Sequence, residues 1–244
     1  MNEKKLISSL KHDLRNLVDV DYKNNTHSFF KEEVFPIGVR SKDLKNLEKK
    51  YFNYLKSLSK KDFLNIIETL LQHKEHEIKT LALKFLYRGK KEFEKKDFII
   101  FERWLKNYIK NWEHCDNFLT HSLGYLVYLY PELLKRTDSW INNDNRWLRR
   151  SASIILIYTF KYHNNKKEFQ NFFHRLKHVI LKQINDSDDL VQKGYGWSAK
   201  EAANVDESLV YKFIYKHKNK LPRTALRYAI EKMNLKYKQK AMFK

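Results

Sequence analysis

The sequence predicts an all-α fold, a curved solenoid of antiparallel helix pairs. Of its 244 residues only 5 are Gly and 3 are Pro, so helix breakers and tight-turn formers are scarce. Apolar residues recur at helical spacing along most of the chain. Helix starts recur at intervals of roughly 30–45 residues, the spacing of repeats that bury their faces against their neighbours. A chain of this length can bury a sizeable core. It reads as one domain over residues 1–244, with an N-terminal helical cap at 1–58, repeats at 59–235 and a basic tail at 236–244.

From Asn2 to Val18, Leu6, Leu10, Leu14 and Leu17 keep a helical period, and a second short helix is expected from Ser28 to Val34. Pro36-Ile37-Gly38 ends it, and Leu44, Leu47, Tyr51 and Leu55 mark a third. Ser59 or Lys60 opens a helix through Phe63, Ile67 and Leu71, with Ile78 to Tyr87 as its antiparallel partner. Asp97 is expected to cap Phe98 to Ile109, and Pro131 suits a first helical turn. Asn142 to Asn145 feeds a helix from Arg146 to Tyr162, Asp186-Ser187-Asp188 feeds one running to Ala203, and Leu221-Pro222 starts the last. Aligning the starts at Ile78, Trp112, Leu148, Val191 and Pro222 suggests HEAT-like repeats. Lys79, Arg149, Arg150, Lys193 and Arg223 then recur at similar phases and would line a basic trough on the concave face.

The balance of 49 Lys+Arg against 29 Asp+Glu gives a net charge of +20, which favours a polyanionic partner, nucleic acid before a membrane surface. Base-composition bias that inflates Lys should also inflate Glu and Asp, and so does not account for the excess. A single cysteine, Cys115, excludes an intrachain disulfide framework and fits a reducing compartment. The N-terminus lacks the apolar run of a signal peptide, and the apolar stretch at Ile154 to Tyr158 is far too short to span a bilayer. The expectation is a cytoplasmic protein.

The candidate chemistry sits in Asn111 to Phe118. In a helix, Trp112 and Asp116 lie one turn apart on one face, so an indole and a carboxylate share a surface. That pair suits a flat cationic target attached to a group that becomes positive during reaction, such as an N-alkylated purine on deoxyribose. Alone, W-x-x-x-D is a weak motif and reads first as a core Trp beside a helix-surface acid or cap. Cys115 with His114 makes a poor nucleophilic pair, because adjacent helix residues point apart, and Cys115 reads as a small core residue. His73-x-x-His76 and His174-x-x-x-His178 lack the companion ligands of a metal site. Trp104, Trp140 and Trp147 read as packing. No metal and no cofactor are expected.

Four stretches in order, Asn111 to Gly124, Pro131-Glu132-Leu133, Asp144 to Ala152 and Val191 to Trp197, resemble the AlkD-like DNA alkylation repair glycosylases. Gly38-Val39-Arg40 and Pro222 to Lys232 resemble them too, so the likeness runs over roughly residues 30–235. It implies a HEAT-like solenoid that grips duplex DNA and removes N3- and N7-alkylated purines, leaving an abasic site without extruding the base. Trp112, Asp116 and Trp197 match the family's lesion-contacting residues, and Arg150, before Arg149, matches an Arg at the DNA backbone. Lys193, Arg40, Arg223 and Arg227 are the further DNA-binding candidates. The chain departs from the family at Glu113-His114, and at Ser28-Phe29-Phe30, where members carry a Tyr.

The chemistry of the residues agrees with the resemblance. A carboxylate stabilises oxocarbenium character on the sugar, and a cationic purine leaves readily without a strong general acid. A cation on an indole is worth about 0.5–2 kcal/mol, so two Trp would favour a charged lesion by at most about a thousandfold. The expectation is a monomer acting on double-stranded DNA. A non-catalytic HEAT-like module for damaged or branched DNA, and a scaffold for acidic proteins, are the alternatives.

Overall fold

Helices account for every regular element among residues 3–243, the residues described by the structure, which is a computed structural model. Met1, Asn2 and Lys244, at the ends of the first expected helix and of the expected basic tail, lie outside the described residues. No β-ladder forms among the described residues, only one bridge between Phe35 and Glu75. The chain divides into two compact units, Met1–Asn117 and Phe118–Lys244.

The first unit begins with α1 (Glu3–Arg15), whose Leu6, Leu10 and Leu14 are buried one turn apart. It packs on α3 (Ser41–Leu55), and Asp13 accepts hydrogen bonds from Lys50 Nζ and Tyr51 Oη. Between them lies α2 (Val20–Thr26), capped by Asp19, whose carboxylate accepts the Tyr22 N–H. A single 3-10 turn, His27–Phe29, follows. The helix expected over Ser28 to Val34 is therefore misplaced. The Asp19 cap starts helix at Val20, eight residues earlier in the chain than the expected start at Ser28, and Pro36 disfavours helix at Phe35, which runs extended and offers its carbonyl to the His76 N–H at 2.9 Å.

Gly38 has φ +101°, and a Cβ there would lie 2.6 Å from Lys23 Cβ, so only glycine fits. Then come α4 (Lys60–Leu71), which starts at the second of the two expected positions with Ser59 as its cap, α5 (His76–Arg88), α6 (Asp97–Tyr108) and α7 (Trp112–Phe118), with α5 packed on both α3 and α4. Asp97 is not the cap of α6 but its first residue. Its buried carboxylate accepts the Glu94 N–H and pairs with Lys60 Nζ, both at 2.7 Å, and so is turned back to the preceding loop.

The second unit opens with a π-helical turn, Leu119–Leu123, and α8 (Gly124–Leu129). A long 3-10 segment, Pro131–Trp140, follows, with Pro in its first turn. The helix expected from Arg146 to Tyr162 is two, α9 (Arg146–Ile154) and α10 (Ile157–Tyr162). Ser151 and Ser153 donate to the carbonyls of Trp147 and Arg150, a back-bonding that competes with the helical ladder and bends it.

The remaining helices are α11 (Lys166–Gln183), α12 (Asp189–Ala203), α13 (Glu207–His217), α14 (Arg223–Ile230) and α15 (Leu235–Met242). Helix α12 is the centre of the unit, packing on α9 and α14 and also touching α11 and α13. It meets α14 closely at Gly196, where a Cβ would come within 2.7 Å of Tyr228 Cβ. Residues expected as part of a basic tail form α15, capped by Asn234 and held by Tyr237 stacked on Tyr211 at 3.8 Å. Trp104, Trp140, Trp147 and Cys115 are all buried, as the sequence suggested.

Candidate active site and nucleic-acid contacts

Helix α7 starts where Asn111 accepts the His114 N–H with its side-chain oxygen at 2.9 Å and the Cys115 N–H with its carbonyl at 3.1 Å. The helix is two-faced. Asn111, His114, Cys115 and Phe118 are buried, whereas Trp112, Glu113, Asp116 and Asn117 are half-buried on the other side. Trp112 and Asp116 thus share one face, a turn apart.

Three contacts fix the indole of Trp112 and its surroundings. Its Nε1–H donates to the Phe29 carbonyl at 3.1 Å, and its ring stacks on Phe30 at 5.4 Å and 24°. Phe30 in turn leans on His76 at 5.2 Å, and His76 Nε2 lies 3.1 Å from the Glu113 carboxylate. These groups border a cleft of about 240 Å³, walled also by Tyr22, Lys84 and Asn117. The extended segment behind Phe30 is anchored by Glu77. Its buried carboxylate accepts the N–H groups of Ile37 and Gly38 at 2.7 Å and of Val39 at 3.1 Å.

His114, part of the Glu113-His114 departure from the family pattern, is sealed beneath the site. Burial first, then the neighbouring His76 and Lys79, hold its pKa well below the ordinary imidazole range. Its Nε2 faces the His76 carbonyl at 3.1 Å and so carries the hydrogen, and its Nδ1 accepts from Asn111 Nδ2 at 3.1 Å. His114 is a neutral spacer stacked on His76 at 4.4 Å.

In the second unit, α12 presents Asp189, Lys193, Trp197 and Glu201 along one half-exposed line. Trp197 Nε1–H donates to Glu201 at 3.0 Å, and Lys193 pairs with Asp189 at 3.0 Å. Arg150, implied by the resemblance to be a backbone contact, is buried, its guanidinium donating to the Leu190 carbonyl. Arg149 pairs with Asp186 at 2.7 Å and donates to the carbonyls of Asn143 and Asp144. Arg223 is exposed and reaches the Met242 carbonyl at 3.2 Å, and Arg227 is exposed. In the first unit Arg40 is exposed, pairs with Asp19 at 2.7 Å and lies over the Tyr22 ring.

The Phe29 carbonyl, Phe30, His76 and Glu113 were missed in the sequence because each contact joins residues 37 or more apart, with no local pattern to mark it. His73 and His76, considered as a metal pair, have separate partners, Glu75 for His73 and Glu113 for His76.

The fold and the site together define an all-α, strongly basic protein that displays a braced aromatic and a carboxylate on the open face of a short helix. A family model for the DNA alkylation repair enzymes matches residues 10–233, and the chain belongs to that family, with a role in DNA alkylation repair. Among solved structures it is similar to a predicted DNA alkylation repair enzyme from Enterococcus faecalis, with a TM-score of 0.76 and 17% identity over 89% of this chain and 97% of that one. At that identity the likeness shows a common fold. No curated protein matches the chain. No helix among the described residues is long and apolar enough to cross a membrane.

Proposed function

We propose that this chain is a monomeric DNA glycosylase that hydrolyses the N-glycosidic bond of N3- and N7-alkylated purines in duplex DNA and leaves an abasic site. The observation that carries the reading is the open face of α7, where Trp112, anchored to the Phe29 carbonyl and backed by Phe30, stands one turn from Asp116. The cationic purine meets the indole face. As the C1′–N bond breaks, its electron pair goes to the purine, which departs neutral, and positive charge develops on the sugar opposite the Asp116 carboxylate. Water adds its oxygen to C1′ and gives its proton to that carboxylate or to solvent. Trp197 is the second aromatic of the lesion site. Arg40, Lys193, Arg223 and Arg227 meet phosphates from the surface, with Arg150 holding the Leu190 carbonyl at the start of α12 and Arg149 the loop that leads into α9. A HEAT-like stacking of the helix pairs in one domain supplies the DNA-binding trough.

Asp116→Asn is expected to keep binding to methylated duplex while losing about 100- to 1,000-fold in release of 7-methylguanine, the scale of removing one transition-state electrostatic contact. Unchanged release by that variant removes Asp116 from the reaction. A wild-type chain that binds methylated duplex and produces no alkali-labile sites would be a binding module only.

A further inference from the structure

We infer that the groove between α11 and α13 is a second nucleic-acid site, which takes the phosphate backbone of a DNA segment other than the one at Trp112 and Trp197. The two helices both pack on α12, and Phe173 of one meets Phe213 of the other edge to face at 6.1 Å. Between them lies a groove of about 500 Å³ lined by His174, Lys177 and His178 on α11 and by Lys212, Lys216 and His217 on α13. On α11 Lys177 and His178 stand three and four residues after His174, and on α13 Lys216 stands four after Lys212, so each wall presents basic groups about one helical turn apart.

No Asp or Glu lines this groove. Each of the two helices carries one carboxylate, and both are engaged at helix starts: Glu168 accepts from Asn164 N–H at 2.6 Å, and Glu207 from Asn234 N–H at 2.6 Å. Lys177 leans over the Phe173 ring at 5.6 Å and pairs with no carboxylate among the described residues. Lys212 and Lys216 are exposed. Among the cations singled out in the sequence, Arg40, Arg149 and Lys193 each have a carboxylate within 3.0 Å, whereas Arg223 and Arg227 are exposed like the groove lysines. On a chain of net charge +20, a groove walled by basic groups and lined by no carboxylate carries an unmet demand for anions.

A strand of phosphates satisfies two rows of cations along a groove, and the half-buried ring of Phe213 on its floor offers a flat surface that tolerates any base. An anionic bilayer, by contrast, needs a contiguous exposed apolar face that inserts, and at this groove Leu181 is the large aliphatic side chain that stands exposed among basic groups. The inference does not depend on which bond the chain cleaves.

The test is sedimentation of the full chain with excess labelled duplex of about one helical turn. The wild type is expected to bind two duplexes, and the triple variant Lys177→Glu, Lys212→Glu, Lys216→Glu one. A control triple of exposed lysines elsewhere in the unit, Lys135→Glu, Lys166→Glu, Lys167→Glu, keeps two. Three phosphate contacts predict that the second site weakens about forty-fold for a fourfold rise in salt. The triple Lys→Gln variant at the same three groove positions guards against misfolding and is also expected to bind one. A single duplex per wild-type chain, equal loss in the control triple, or loss of binding to phosphatidylserine vesicles with DNA stoichiometry unchanged overturns the inference.

Discussion

The carboxylate of Glu77 holds the backbone N–H of Gly38 at 2.7 Å, across 39 residues of chain, and with it the N–H groups of Ile37 and Val39. This buried contact fixes the extended segment that follows Phe29 and Phe30, the two residues that brace Trp112. Glu77→Ala leaves three donors without their acceptor and is expected to lower the free energy of unfolding by about 3–5 kcal/mol. Urea unfolding measures it, and a change under about 1 kcal/mol would show that the staple is not needed.

Removing the stack behind Trp112 should affect reaction more than folding. Phe30→Ala deletes a ring pair worth about 0.5–1.5 kcal/mol while leaving the bond from the indole to the Phe29 carbonyl in place. Single-turnover release of 7-methylguanine should slow by up to about tenfold. Phe30→Tyr, which keeps the ring, should restore it.

Acid should weaken the fold through His114. Because burial and its cationic neighbours depress its pKa in the folded chain, the unfolded chain takes up a proton below about pH 6.5 that the folded chain refuses. Stability is therefore complete above that pH and falls as pH drops, by up to about 1.4 kcal/mol per pH unit. His217, held low by partial burial and by Lys216 and Lys220, acts in the same direction. Denaturant unfolding at neutral and at mildly acidic pH should show a smaller difference in His114→Gln than in the wild type, and an equal difference would exclude His114 as the source.

Arg150 should report on stability as well as on DNA. Truncating a buried guanidinium that donates to the Leu190 carbonyl should cost about 2–4 kcal/mol, whereas Arg227→Ala, on the exposed side of α14, should stay within about 0.5 kcal/mol. Thermal unfolding of the two variants distinguishes them. If Arg150→Ala weakened DNA binding with no loss of stability, its role would lie at the phosphate alone.

Local rules settled much of this molecule in advance. The period of Leu6, Leu10 and Leu14, the caps at Ser59 and Asp188, the scarcity of Gly and Pro and the excess of Lys over acids all act through neighbours in the chain. They determined the all-α class, most helix starts, the charge and the placement of Trp112 and Asp116 a turn apart. Where two local signals competed, the reading erred. The Asp19 cap and Pro36 displaced the helix expected over Ser28 to Val34, and the back-bonded serines divided the helix expected over Arg146 to Tyr162. Tertiary structure alone decided that Phe29 offers its carbonyl to Trp112, that His114 is sealed and neutral, that Arg150 is buried, and that Lys177, Lys212 and Lys216 meet in a groove that no carboxylate lines. The reason is range. A cap or a period is fixed within four residues, but desolvation and the pairing of a charge depend on which distant groups the packed chain brings beside it.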